Sequence, residues 1–92
     1  METLRVVCMA YSRKHGGRCV AGIRLDGGGW VRPVSVKDDG SLTYIMCQLD
    51  DGGAPKLLDV IDIGMKRPKP LPYQPENWLI DRSTWKLVRR PA

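Results

Sequence analysis

Apolar residues in this chain come in short runs separated by polar, glycine-rich or proline-rich breaks, the pattern of strands joined by turns. Leu4 to Ala10, with Val6 and Val7 inside it, predicts a central strand. Ser12-Arg-Lys-His-Gly-Gly-Arg18 predicts the loop that follows. Cys19 to Leu25 alternates loosely around Val20 and Ile23 and predicts a second strand. Gly22 inside it predicts a bulge or a close approach of backbone. Asp26-Gly-Gly-Gly29 predicts a hairpin turn, because glycine reaches the positive φ that tight turns require. Trp30 to Val36 predicts a third strand, placed at an edge or broken by a bulge because Pro33 has no N–H to donate.

Asp38-Asp39-Gly40 predicts another turn. Leu42 to Leu49 reads two ways: Thr43, Tyr44 and Ile45 favour strand, and Met46 to Leu49 can start a helical turn. Leu57 to Ile63 is the clearest later strand, carrying the β-branched Val60, Ile61 and Ile63. Lys66 to Pro75 holds Pro68, Pro70, Pro72 and Pro75, so it predicts an extended, polyproline-like segment leading into a C-terminal arm. Trp78 to Asp81 and Trp85 to Val88 predict two short terminal strands, or one strand and a turn. The sum is five to seven short strands with little helix. A mainly β domain follows, a small closed or partly open barrel, and an OB-like barrel fits the length.

Ninety-two residues make one domain with a thin core. A surface groove is easier to build there than a deep cavity. The 15 Lys and Arg against 10 Asp and Glu give a modest net charge of +5, and its distribution is more informative. Thr3 to Leu25 contains Arg5, Arg13, Lys14, Arg18 and Arg24 and no acid, and Lys66, Arg67 and Lys69 form a second cluster. A positive face would concentrate phosphate-bearing partners. Cys8, Cys19 and Cys47 include no CxxC pair and His15 is the single histidine, which argues against a disulfide framework and a zinc site. Cys8 and Cys47 read as buried thiols suited to a reducing compartment. No apolar run approaches the ~20 residues that span a membrane. With no signal-peptide pattern at the start, the expectation is a cytoplasmic protein without a membrane partner.

The chemistry-bearing candidates centre on Arg13, Lys14, His15 and Arg18 around Gly16 and Gly17. Two readings stand for this segment. Its glycines can turn backbone N–H groups toward an anion among flanking cations, or it is a solvated turn. The GxxxxGK[ST] spacing of a Walker A loop is missing. Trp30 and Arg32 are two apart on a predicted strand and share a face, a platform for a base and a phosphate. The core is the expected place for Trp30, with Arg32 left open between phosphate pairing and packing across the ring. Asp59 and Asp62 are three apart and point to opposite faces, a poor metal or acid–base pair, and Asp59 is expected to satisfy backbone donors. Asp50 and Asp51 read as a turn. Gln74, Glu76, Asn77 and Trp78 are expected to pin the C-terminal segment, with a polar rim beside a groove as the alternative. Ser12, His15 and an Asp make no triad with a nucleophile elbow, so no catalytic residue and no cofactor is expected.

Three stretches carry a family resemblance. Ser12 to Gly22, Gly28-Gly-Trp-Val-Arg-Pro-Val-Ser35, and Pro55 to Ile61 with Gln74-Pro-Glu-Asn-Trp78 resemble the prokaryotic dual OB-containing domain family (DuOB), over roughly residues 5 to 88. The resemblance implies OB-like barrel architecture, an occurrence beside genome-conflict systems and nucleic-acid binding. It supplies no catalytic residues.

The leading expectation is therefore a module for single-stranded DNA or RNA. Arg13, Lys14, Arg18 and Arg32 would contact phosphates, and Tyr11 and His15 would stack or hydrogen-bond. The alternatives are a protein-interaction module that dimerises through the C-terminal arm, and a sensor of a small phosphorylated ligand seated on Gly16 and Gly17.

Overall fold

Strand β1 (Glu2–Lys14), 13 residues long, organises the fold by pairing along both of its edges. Its first half runs antiparallel to β4 (Val60–Pro68), from Glu2 opposite Met65 to Val7 opposite Val60. From Val6 onward it runs antiparallel to β2 (Gly17–Arg24). The strand serves two neighbours because it bends at a bulge between Cys8 and Ala10, where the β2 register shifts. Gly22 sits opposite Cys8 at this point, and a Cβ there would collide with Val6 Cγ1 and the Val7 carbonyl. Both the bulge and the close approach expected around Gly22 are present, with the bulge on the partner strand.

The computed structural model describes residues 2–14 and 16–91. After β2 come β3 (Gly29–Val34), a four-residue helix α1 (Tyr44–Cys47), β4, β5 (Asn77–Ile80) and β6 (Lys86–Arg89). The sheet order β1-β2-β3-β5-β4, closed by the β1–β4 pairing, makes a small OB-like barrel with β6 added beside β4. β3 and β5 pair in parallel, which the long crossover through α1 and β4 permits. The interior is filled by Val6, Val31, Leu42, Ile61, Met65 and Trp85, all at most 2 % exposed. No helix among the described residues is long and apolar enough to cross a membrane.

Several expectations change at the level of elements. Residues 12–14 and 17–18 lie in strands rather than in a loop. β1 continues to Lys14 and β2 starts at Gly17, with Ser12 opposite Cys19, Arg13 opposite Arg18 and Lys14 opposite Gly17. Between the two strands Gly16 has φ +81°. β3 is not an edge strand: its first half pairs with β2 and its second half with β5. Pro33 is tolerated because it lies beyond the last residue paired with β2. The Leu42 to Leu49 ambiguity resolves as the helical turn of α1, capped by the Thr43 hydroxyl accepting from Met46 N at 3.1 Å. β4 starts at Val60, and Leu57 and Leu58 lie exposed in the turn before it.

The proline-rich segment does not lead away from the barrel. β4 carries it as far as Pro68, and Leu71 and Gln74 then bond each other at 3.1 and 3.0 Å in a turn. The chain returns as β5, antiparallel to β4. The C-terminal segment also stays in the sheet: β6 pairs with β4, and Trp85 is fully buried in the chain's own core.

Candidate functional site

The outer face of β2 and β3 is set by alternation. Val31 pairs with Gly22 and is fully buried, so its neighbours Trp30 and Arg32 fall on the opposite face. Trp30, opposite Ile23, is 55 % exposed. This overturns the expected core position: the inward place on this strand belongs to Val31. The hairpin turn below it is held by Asp26, whose carboxylate accepts Arg24 Nε and Nη2 at 3.1 and 2.7 Å and the Gly28 N–H at 2.9 Å. The Arg24 bonds, then the backbone donor, hold this carboxyl below its ordinary range. The Arg24 guanidinium also lies 5.1 Å from the Trp78 ring centre and covers that half-buried side chain.

Arg32 leads from this face into a cleft. Its Nε is 3.3 Å from Glu76 Oε2, and its backbone N–H donates to Glu76 O at 3.1 Å. A small recess of about 90 Å³ lies against Arg32, Cys19 and Gln74. It shares Val34, Asp39, Gly40 and Gln74 with a larger cleft of about 260 Å³, which adds Lys37, Asp38, Lys69, Tyr73 and Asn77. One wall is the 37–40 turn, where Gly40 N donates to Lys37 O at 2.9 Å and Asp39 accepts the Ser41 N–H at 2.9 Å. That contact with Ser41 holds the Asp39 carboxyl low. The other wall is the 69–76 connection between β4 and β5. Its prolines restrict φ, Lys69 N donates to Asn77 O at 2.8 Å, and Tyr73 stands 78 % exposed near its tip.

The residues singled out in the sequence separate into two groups. Arg13 is exposed and faces Arg18 across the β1–β2 ladder. Arg18 is half-buried and internally held: Nε donates to Tyr11 Oη at 3.1 Å, Nη1 to the Gly16 and Gly17 carbonyls at 3.3 and 3.4 Å, and the guanidinium lies 5.8 Å from the Tyr44 ring centre. Tyr11 packs against the core. Gly17 is buried in the ladder, and Gly16 is exposed in the turn. Lys14 ends β1, and His15 lies outside the described residues. The second group is Trp30 and Arg32 on the outer face of β3, of which Arg32 lines the recess together with Cys19.

Lys37, Lys69 and Tyr73 are among the cleft residues not assigned to a site from sequence. Lys69 belongs to the second basic cluster, and an aromatic among prolines between two strands is the signal that points to Tyr73. Gln74 lines the cleft, as the polar-rim alternative holds, and Asn77 both lines it and starts β5. Cys8 and Cys47 are buried, and burial pushes both thiols up, so neither is a ready nucleophile. Among the described residues no group of three or more His, Cys, Asp or Glu side chains is placed to hold a metal ion.

Comparison with curated proteins and with solved structures finds no match. A family model does match, that of the dual OB-containing domain, over residues 4–92, and the chain belongs to this family.

Proposed function

We propose that this dual OB-containing domain binds single-stranded nucleic acid on the outer face of β2 and β3, between the 15–16 connection and the 69–76 connection. The observation that carries the reading is Trp30, an indole 55 % exposed next to the fully buried Val31, with Arg32 on its own side of the strand. OB barrels bind oligonucleotides on the strand 2–3 face and on the loops after strands 1 and 4. An exposed aromatic there contributes about 1–3 kcal/mol per stacked base. Arg13 on β1 and Lys66 and Arg67 on β4 are exposed cations, and Lys69 lines the cleft. Phosphate contacts of this kind position a strand without reading its sequence. The role is binding rather than catalysis, and the unpaired cysteines suit a reducing compartment.

Fluorescence-anisotropy titration with labelled single-stranded DNA and RNA tests this. With about three phosphates neutralised, affinity falls roughly tenfold to twentyfold between about 50 and about 200 mM salt. Trp30→Ala weakens binding at both salt concentrations. Absence of binding at the lower salt would overturn the reading.

A further inference from the structure

Cross-strand register lays an apolar row on the outside of the barrel. Val7 of β1 stands opposite Ile23 of β2, and Ile23 stands opposite Trp30 of β3. Residues directly opposite on antiparallel strands share a face. Trp30 faces outward, so Ile23 and Val7 face outward too. Both are half-buried, and neither belongs to the core cluster. Leu25, two residues beyond Ile23, is 52 % exposed. Its N–H donates to the Arg5 carbonyl at 2.9 Å, which keeps the chain in line with β1 there. Leu25 therefore extends the row toward the hairpin turn.

Polar partners are scarce along this row. Its side chains are aliphatic apart from the indole, which has one donor and no acceptor. On the next cross-strand row Arg5 and Asp62 bond each other at 2.8 and 3.0 Å. Arg24 and Asp26 are likewise paired in the hairpin turn. The surface beside Trp30 on β2 thus offers carbon to the edge of a stacked base. Ile23 is the direct neighbour, at the roughly 4.5–5.5 Å Cβ separation of an antiparallel pair, and Leu25 lies within diagonal reach of a ring. Among the common bases thymine alone carries a methyl group on its edge. Thymine and uracil share the same hydrogen-bonding groups, so an apolar neighbour separates them where a polar one does not.

Resting on the single-strand reading above, we propose that Ile23 and Leu25 make the Trp30 platform selective for thymine, so that the module prefers thymine-bearing single-stranded DNA over uracil-bearing RNA. Moving one methyl group from water onto these side chains shifts affinity by up to about fourfold. Stacking on Trp30 alone makes no comparable distinction, since every base has a π-face.

The test compares labelled d(T) and d(U) octamers, which differ only in the base methyl, in anisotropy titrations at low salt. The full chain binds d(T) about two- to fourfold more tightly than d(U). Ile23→Thr keeps a β-branched side chain and replaces its ethyl arm by a hydroxyl. It brings the two affinities together, mainly by weakening d(T) binding. Thermal melting checks that this variant folds. If it does not, Leu25→Ser, at an exposed position, decides, and it lowers the preference. Equal affinities in the full chain, or tighter d(U) binding, overturn the inference and leave the single-strand reading standing. So does a preference that the deciding variant leaves unchanged. Failure of both octamers to bind overturns both.

Discussion

At Asp59, a carboxylate with no exposed surface accepts Arg90 Nε and Nη2 at 2.9 and 2.8 Å and the Lys56 N–H at 2.9 Å. The Arg90 bonds, and after them the backbone donor, hold its carboxyl below the ordinary carboxylate range against the cost of burial. Asp62 is held low by Arg5 in the same way. A folded value below the unfolded one, about 3.9, means that the ionised form favours the fold. This stabilisation is complete above about pH 5 and is lost as pH falls through 4 toward the folded value. Asp59→Asn is expected to cost about 2–4 kcal/mol at neutral pH, since it removes one partner of a buried pair, and to flatten the acid side of the stability profile. Urea unfolding at pH 7 and at about pH 3 measures both, and an unchanged loss of stability on acidification contradicts the assignment. The backbone role of Asp59 was legible from its place at a strand start. Its guanidinium partner was not, because Arg90 lies 31 residues away on a segment whose return to the barrel depends on β6 pairing.

Among the elements, the β1–β2 hairpin shows where local pattern misleads. Arg13 and Lys14 interrupt the apolar alternation, and Gly16-Gly17 has the composition of a loop. The ladder nonetheless continues to Lys14, because strand pairing and the packing of Tyr11 and Val20 outweigh local preference. Gly22 was legible, since a glycine inside an apolar strand marks a bulge or a close backbone approach. Gly16 and Gly22 are required for different reasons, which predicts different costs. Gly22→Ala drives a Cβ into the Val6 side chain and the Val7 carbonyl, and is expected to destabilise by about 1–3 kcal/mol or more. Gly16→Ala meets no atom within 4 Å and carries only the strain of φ +81°, on the order of 1 kcal/mol. Thermal unfolding of the two variants checks the order, and a more harmful Gly16→Ala would contradict the close approach at Gly22. Pro33 misleads in the opposite direction. It suggested an edge or a bulge, whereas β3 changes partner from β2 to β5 just before it, between Val31 and Arg32, and no local signal encodes a parallel neighbour 45 residues on.

Across the whole molecule, barrel closure separates what was legible from what was not. The number of strands, the scarcity of helix and the buried thiols followed from short apolar runs and turn residues, because those are local consequences of burial. The site did not, because it depends on which strands meet. Closure places β3 beside β5, and so brings Arg32 to Glu76 and opens the cleft between the 37–40 turn and the 69–76 connection. It also leaves Trp30 outside the core while Trp85 fills it. The basic segment that dominates the sequence becomes a hairpin whose Arg18 is held by Tyr11 and Tyr44, and the exposed surface chemistry shifts to β3 and the proline-rich turn. The surface proposed for nucleic acid is therefore the outer face of β2 and β3. The most direct measurement is an amide chemical-shift map of the labelled protein during titration with a single-stranded oligonucleotide at low salt. The largest changes are expected at Cys19, Ile23, Trp30 and Arg32, including the Trp30 indole N–H, and along Lys69 to Asn77. Changes confined to other surfaces, with Trp30 and the 69–76 connection unmoved, would contradict it.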